Sequence, residues 1–182
     1  MTLECQDLEK VFSACFFMDY HTVLVEGGVE PLYLPSDDTS RRPHRVIYRE
    51  DYFASALHEV AHWCLAGLER RTREDYDYWY SPDGRDRQGQ GAFETVEARP
   101  QALEWIFSDA CQFSFHLSAD NLTLGFESSE RFEVEVEAQK DRLLEKGLPA
   151  RAALYRRTLE RLTGSRQRPA GLLPSGPANR LA

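Results

Sequence analysis

This sequence is short of positive charge, of paired cysteines and of long apolar runs. Lysine and arginine total 22 against 30 aspartates and glutamates, a formal net charge of −8. That balance argues against a nucleic-acid binder working by phosphate neutralisation. Cys5, Cys15, Cys64 and Cys111 form no Cys-x-x-Cys pair, and 182 residues with 42% apolar content can build a core without disulfides. Reduced, mostly buried thiols are expected. The apolar stretches near the N-terminus are short and follow Glu4, Asp7 and Lys10, so neither a signal peptide nor a membrane span is legible. There is no internal repeat. The expectation is a cytoplasmic protein with no membrane or nucleic-acid partner.

What is present begins at residue 56 with "ALHEVAHWCLAGLERR", which contains His-Glu-Val-Ala-His. Residues four apart share a helix face, so His58 and His62 can close on one ion. Glu59 follows about 100° around the axis, within reach of a water on that ion. Phe53, Leu57, Ala61 and Leu65 form an apolar ladder at i, i+4 spacing, and Gly67 is a natural terminator. Two histidines packing or facing water are the plainer alternative.

Around this helix the pattern reads as mixed structure. Leu8, Val11, Phe12, Cys15 and Phe16 keep helical spacing. Val29 to Leu34 and Val46 to Tyr48 read as short strands. Tyr76 to Tyr80 alternates into Ser81-Pro82-Asp83-Gly84, which suits a strand and a tight turn. Pro100 fits a first helical turn or a kink in a longer helix from about residue 93 to 113. Two further helices follow, one ending near Gly147 and one running from Pro149 towards Gly164. The fold class is thus α+β: a single domain over residues 1–164 with a small mixed sheet, several helices and a zincin-like metal helix carrying HExxH. Residues 165–182, with Pro169, Pro174, Gly176 and Pro177, form a flexible tail. Arg41 to Arg45 and Arg70 to Arg73 are basic clusters that suit either solvent or an acidic protein partner.

Two histidines hold a divalent ion weakly, and zinc and non-haem iron sites commonly add a carboxylate. In "GAFETVEARPQALEW", Glu94, Glu97, Gln101 and Glu104 are spaced three, four and three, which places them on one helical face. Glu97 is the best-centred ligand, Gln101 lies one turn further on, and Glu94 is the alternative. The chemistry stays open between a zinc peptidase, in which Glu59 would be the general base, and an iron site with positions free for oxygen. None of His21, His44, His58, His62 or His116 has Asp or Glu two residues later. That argues against a jelly-roll oxygenase.

The strings "ALHEVAHWCLAG", "YWYSPDGRDRQGQGAFETVEARPQALEW" and "DNLTLGFE" together resemble the bacterial elongation factor P hydroxylase family. The resemblance runs from the metal helix through Phe126. It implies hydroxylation of the lysine of translation elongation factor P that already carries a β-lysyl group, by a peptidase-like metal site serving an oxygenase reaction. Carried over, it implies Fe(II), with zinc able to replace it in purified protein, and molecular oxygen as co-substrate. The implied metal ligands are His58, His62 and Glu97, with Glu59 as the catalytic residue that orients the site or handles protons. Tyr78, Trp79, Asp83, Arg85 and Gln101 are the candidate substrate-binding residues, the aromatics because their faces attract a long amine's charge. A zinc-dependent hydrolase with an HExxH site is the alternative.

Overall fold

Helix α1 (Cys5–Tyr20) turns Leu8, Val11, Phe12 and Phe16 inward, as their spacing requires. Its start is fixed by the Glu4 backbone N–H, which donates to the Asp7 carboxylate at 2.9 Å. Its end is fixed by His21, left-handed at φ 48°. Strands β1 (Thr22–Glu26), β2 (Leu32–Leu34) and β3 (His44–Tyr48) follow. They form a mixed sheet in the order β1-β3-β2, with β3 parallel to β1 and antiparallel to β2. The register sets Leu24 beside Val46 and Val46 beside Tyr33. The expected strand over 46–48 lies within β3, while that over 29–34 shrinks to Leu32–Leu34. Strand β1 was not expected: only His21 separates "TVLVE" from α1, so its apolar residues read as a continuation of the helical pattern.

Helix α2 (Phe53–Leu65) is the histidine helix and the most enclosed element, with Ala56, Leu57, Val60, Ala61, Trp63 and Cys64 all buried. It stops at Ala66, one residue before the expected Gly67. Arg151 closes this end by donating from Nη2 to the Cys64 carbonyl at 3.1 Å and to the Ala66 carbonyl. A cation suits the negative end of a helix dipole. A 3-10 turn follows at Arg70–Thr72. Helix α3 (Arg87–Cys111) is longer than the sequence pattern suggests and carries Pro100 inside it. Pro100 supplies no N–H, so the Val96 carbonyl lacks its helical donor. Helix α4 (Phe126–Lys146) ends at Gly147, whose φ of 88° is a left-handed value that glycine adopts without steric cost. Helix α5 (Ala150–Gln167) runs past the boundary expected at Gly164.

The chain is one α+β domain whose core lies between the sheet and the helices. Helix α3 packs on α2, α4 and α5, while the sheet meets α1 through β1 and α2 through β3. At the centre Trp63 lies 5.0 Å from the Phe12 ring and 4.7 Å from the Phe16 ring, and Tyr155 lies 5.1 Å from Phe107. Edge and tilted aromatic pairs of this kind add to simple burial. Trp63 is the residue after His62, so locking its ring in the core also fixes the rotation of α2 and the direction of both histidines.

The structure is a computed structural model and describes residues 3–36, 42–50, 52–74, 87–118 and 126–167. The strand and turn expected over residues 76–84 lie outside the described residues, as do residues 168–182 of the expected tail. Among the described residues no helix is long and apolar enough to cross a membrane.

Candidate metal centre

Helices α2 and α3 face one another, and their polar residues meet where apolar packing gives way. From α2, His58 and His62 turn their Nε2 atoms together, 3.0 Å apart. From α3, Glu97 Oε2 comes to 3.3 Å from His62 Nε2 and 3.4 Å from His58 Nε2. These three side chains form a group whose donor atoms all lie within 4.8 Å of one another. Glu94, one turn earlier on α3, is not in that group. Three atoms bonded to one ion at about 2.1 Å stand about 3.0 Å apart at right angles and about 3.4 Å apart in a tetrahedron. The observed edges match those separations, so the residues present suit a divalent ion.

A second carboxylate supports this reading of the donor set. Glu104 Oε2 lies 2.8 Å from His58 Nδ1, so that nitrogen carries the hydrogen and donates. The arrangement would leave Nε2 of His58 as the atom available to an ion, in the way that metal-binding histidines are commonly oriented by a carboxylate behind them. Sequence reasoning placed Glu104 on the correct face without assigning it this contact. The available signal was a carboxylate two turns beyond Glu97 on the same face.

Burial sets the electrostatics. Side-chain exposure is 22% for His58, 8% for His62 and 6% for Glu97, so the centre opens on the His58 side. Burial pushes the Glu97 carboxyl up, but the neighbouring His62 and His58 imidazoles outweigh it and hold the group well below the usual carboxylate range. Burial pushes His58 down, yet its contacts with Glu104 and Glu97 outweigh that effect and raise it well above the ordinary imidazole value. Without an ion, a proton on His58 therefore balances the carboxylates. A divalent cation would replace that proton.

The other candidate residues fall in different places. Glu59 is buried and lines a cleft with His62, Trp63, Arg70 and Arg71, on the sheet side of α2. Gln101 is 1% exposed, and both ends of its amide are committed: Nε2 donates to the Ser118 carbonyl at 2.7 Å and Oε1 accepts from the Ser118 N–H at 3.1 Å. Gln101 thereby clamps the segment after α3 to the helix. Tyr78, Trp79, Asp83 and Arg85 lie outside the described residues. The basic run splits: Arg73 is exposed and paired with Glu69 at 2.9 Å, whereas Arg71 turns in over the Tyr20 and Trp63 rings.

In an α+β domain, two histidines of one helix and a glutamate of its neighbour thus form a donor set of the kind that could hold one divalent metal ion. Comparison with known proteins narrows the class. The model of the elongation factor P hydroxylase family matches residues 11–169. A Haemophilus influenzae protein named elongation factor P lysine hydroxylase is 46% identical over 160 residues, covering 87% of this chain and 89% of that protein. The chain belongs to the elongation factor P hydroxylase family.

Proposed function

We propose that this protein hydroxylates the β-lysylated lysine of translation elongation factor P, in the cytoplasm, at a non-haem iron site on a zincin-like helix. The observation that carries the reading is the relative named for lysine hydroxylation of elongation factor P, aligned over nearly the whole of both chains. That name does not favour the alternative of a zinc hydrolase. His58, His62 and Glu97 would hold Fe(II), and the convergence of their three donor atoms supports this. An iron ion with two nitrogen ligands, one carboxylate and open positions supplies oxygen activation.

The remaining roles belong to the chain. Glu104 holds His58 through Nδ1, which would leave Nε2 free to hold an ion. Glu59, beside His62 in the cleft, would take up or release protons as one oxygen atom of O₂ enters the lysine C–H bond and the other leaves as water. That balance draws two electrons from a reductant. The greater exposure of His58 gives the direction from which a lysine side chain would enter. Tyr78, Trp79, Asp83 and Arg85 are proposed to line its approach.

The test is direct. Incubated with Fe(II), oxygen, ascorbate and lysylated elongation factor P, the protein should add one oxygen atom, about 16 Da, to the modified lysine peptide, and metal chelation should abolish the addition. An unchanged peptide mass under iron-replete, reducing conditions would sink the assignment.

A further inference from the structure

Two arginines, Arg71 and Arg151, meet at the aromatic edge of the cleft on the sheet side of α2. Arg71 turns inward from the basic run, its guanidinium 5.3 Å from the Tyr20 ring centre and 5.9 Å from that of Trp63. Arg151 reaches the same two rings from α5, at 5.6 Å and 4.6 Å. Two like charges thus share one aromatic corner, and their proximity adds to burial in lowering the Arg151 pKa. Among the described residues no carboxylate forms an ion pair with either. Cation–π contact offsets part of their repulsion but satisfies no N–H.

The unmet hydrogen bonds converge on the same place. Arg71 Nε, Arg151 Nη1 and Trp63 Nε1 are each buried without a hydrogen-bond partner among the described residues. Trp63 itself is 3% exposed. Buried donors are nearly always paired, and both arginines here lie against the Trp63 ring. Arg71 and Trp63 also line the cleft, together with Arg70, Tyr33 and His62, and among the described residues its one acidic wall residue is Glu59. Arginine's planar fork matches an oxyanion better than it matches a single water.

We propose that this cleft is a binding site for a small oxyanion, a carboxylate or phosphate group, held by Arg71, Arg151 and the Trp63 indole N–H beside His62. The site shares only His62 with the His58, His62 and Glu97 donor group and stands whether or not the chain is a hydroxylase. A ligand seated there would lie against one metal-binding histidine, so a small organic acid in the cleft would come within reach of the candidate centre. Free inorganic phosphate is the other source of the same chemistry.

Calorimetric titration of the full-length protein with sodium succinate and with sodium phosphate, at constant ionic strength against sodium chloride, tests the site. Saturable binding of at least one is expected, and the tighter of the two identifies the source. Arg71→Gln should weaken that binding about tenfold or more, since a charge-assisted paired contact is lost. Arg71→Lys, which keeps the charge and guards against misfolding, should weaken it less. Arg73→Gln should leave it unchanged. Absence of saturable binding, or binding kept intact in a folded Arg71→Gln, overturns the proposal, the latter by placing the anion on the metal or elsewhere.

Discussion

Replacing Glu104 with Gln tests the centre without touching a residue that would bind the ion. Glu104 accepts from His58 Nδ1 at 2.8 Å and is buried, so the substitution keeps shape and an acceptor while removing the negative charge. Loss of such a supporting partner typically weakens metal affinity about 10- to 100-fold, or about 1.4–2.7 kcal/mol. The upper part of that range is expected here. His58 is the most exposed of the three donors, at 22%, and has the least packing to hold its ring once the charge is gone. A second effect has the opposite sign: Glu104 also helps to keep His58 protonated in the metal-free protein, and an incoming ion must displace that proton. The affinity gap between wild type and Glu104→Gln should be widest near about pH 8 and should narrow near about pH 6, where wild-type His58 loses most to proton competition. Competition titrations of Co(II) or Zn(II) against a chelator at both pH values measure this. Equal affinities at the higher pH, or a gap that widens as pH falls, would refute the role given to Glu104.

Other outcomes follow from the same geometry. Glu97→Ala should lose most of its metal while Glu94→Ala keeps it, read by metal analysis of the purified variants; the reverse result would move the ligand to Glu94. Glu59→Gln should retain metal yet lose turnover in the peptide-mass assay, because Glu59 lies in the cleft beside His62 and outside the donor group. In metal-free protein the raised His58 contributes stability that is present below its unfolded value of 6.5 and fades as pH rises through the folded one. The depressed Glu97 contributes stability that is present above 4.5 and fades as pH falls through its folded value. Thermal melts of metal-free protein should therefore peak between those two values, and added metal should move the peak to higher pH; a metal-free optimum well above neutrality would contradict the protonated state of His58. Arg151→Ala removes a charged donor from two carbonyls at the end of α2 and should cost about 1.5–3 kcal/mol or more in denaturant unfolding, whereas a loss under about 0.5 kcal/mol would show that the contact caps nothing.

The features legible in the amino-acid order were local. His58 and His62 share a face because they are four apart, and Phe53, Leu57 and Ala61 make that stretch a helix whatever packs against it. The acidic balance and the family-bearing strings between residues 56 and 127 were equally independent of packing. The spacing of Glu94, Glu97, Gln101 and Glu104 showed that they share a face of α3, and it stopped there. Which of them meets a histidine depends on how far α3 is shifted along α2, and each turn of shift moves the facing residue by about 5.4 Å. That offset is decided by the Trp63, Phe12 and Phe16 cluster, which rotates α2, and by the packing of α3 on α2, α4 and α5. Tertiary structure therefore brought Glu97 to His62 and Glu104 to His58 across 35 and 46 residues of chain, and committed Gln101 to Ser118. It also divided the basic run, sending Arg73 to solvent and Arg71 to the aromatic corner, because a tight 3-10 turn points adjacent side chains in different directions and only the core selects which one is covered.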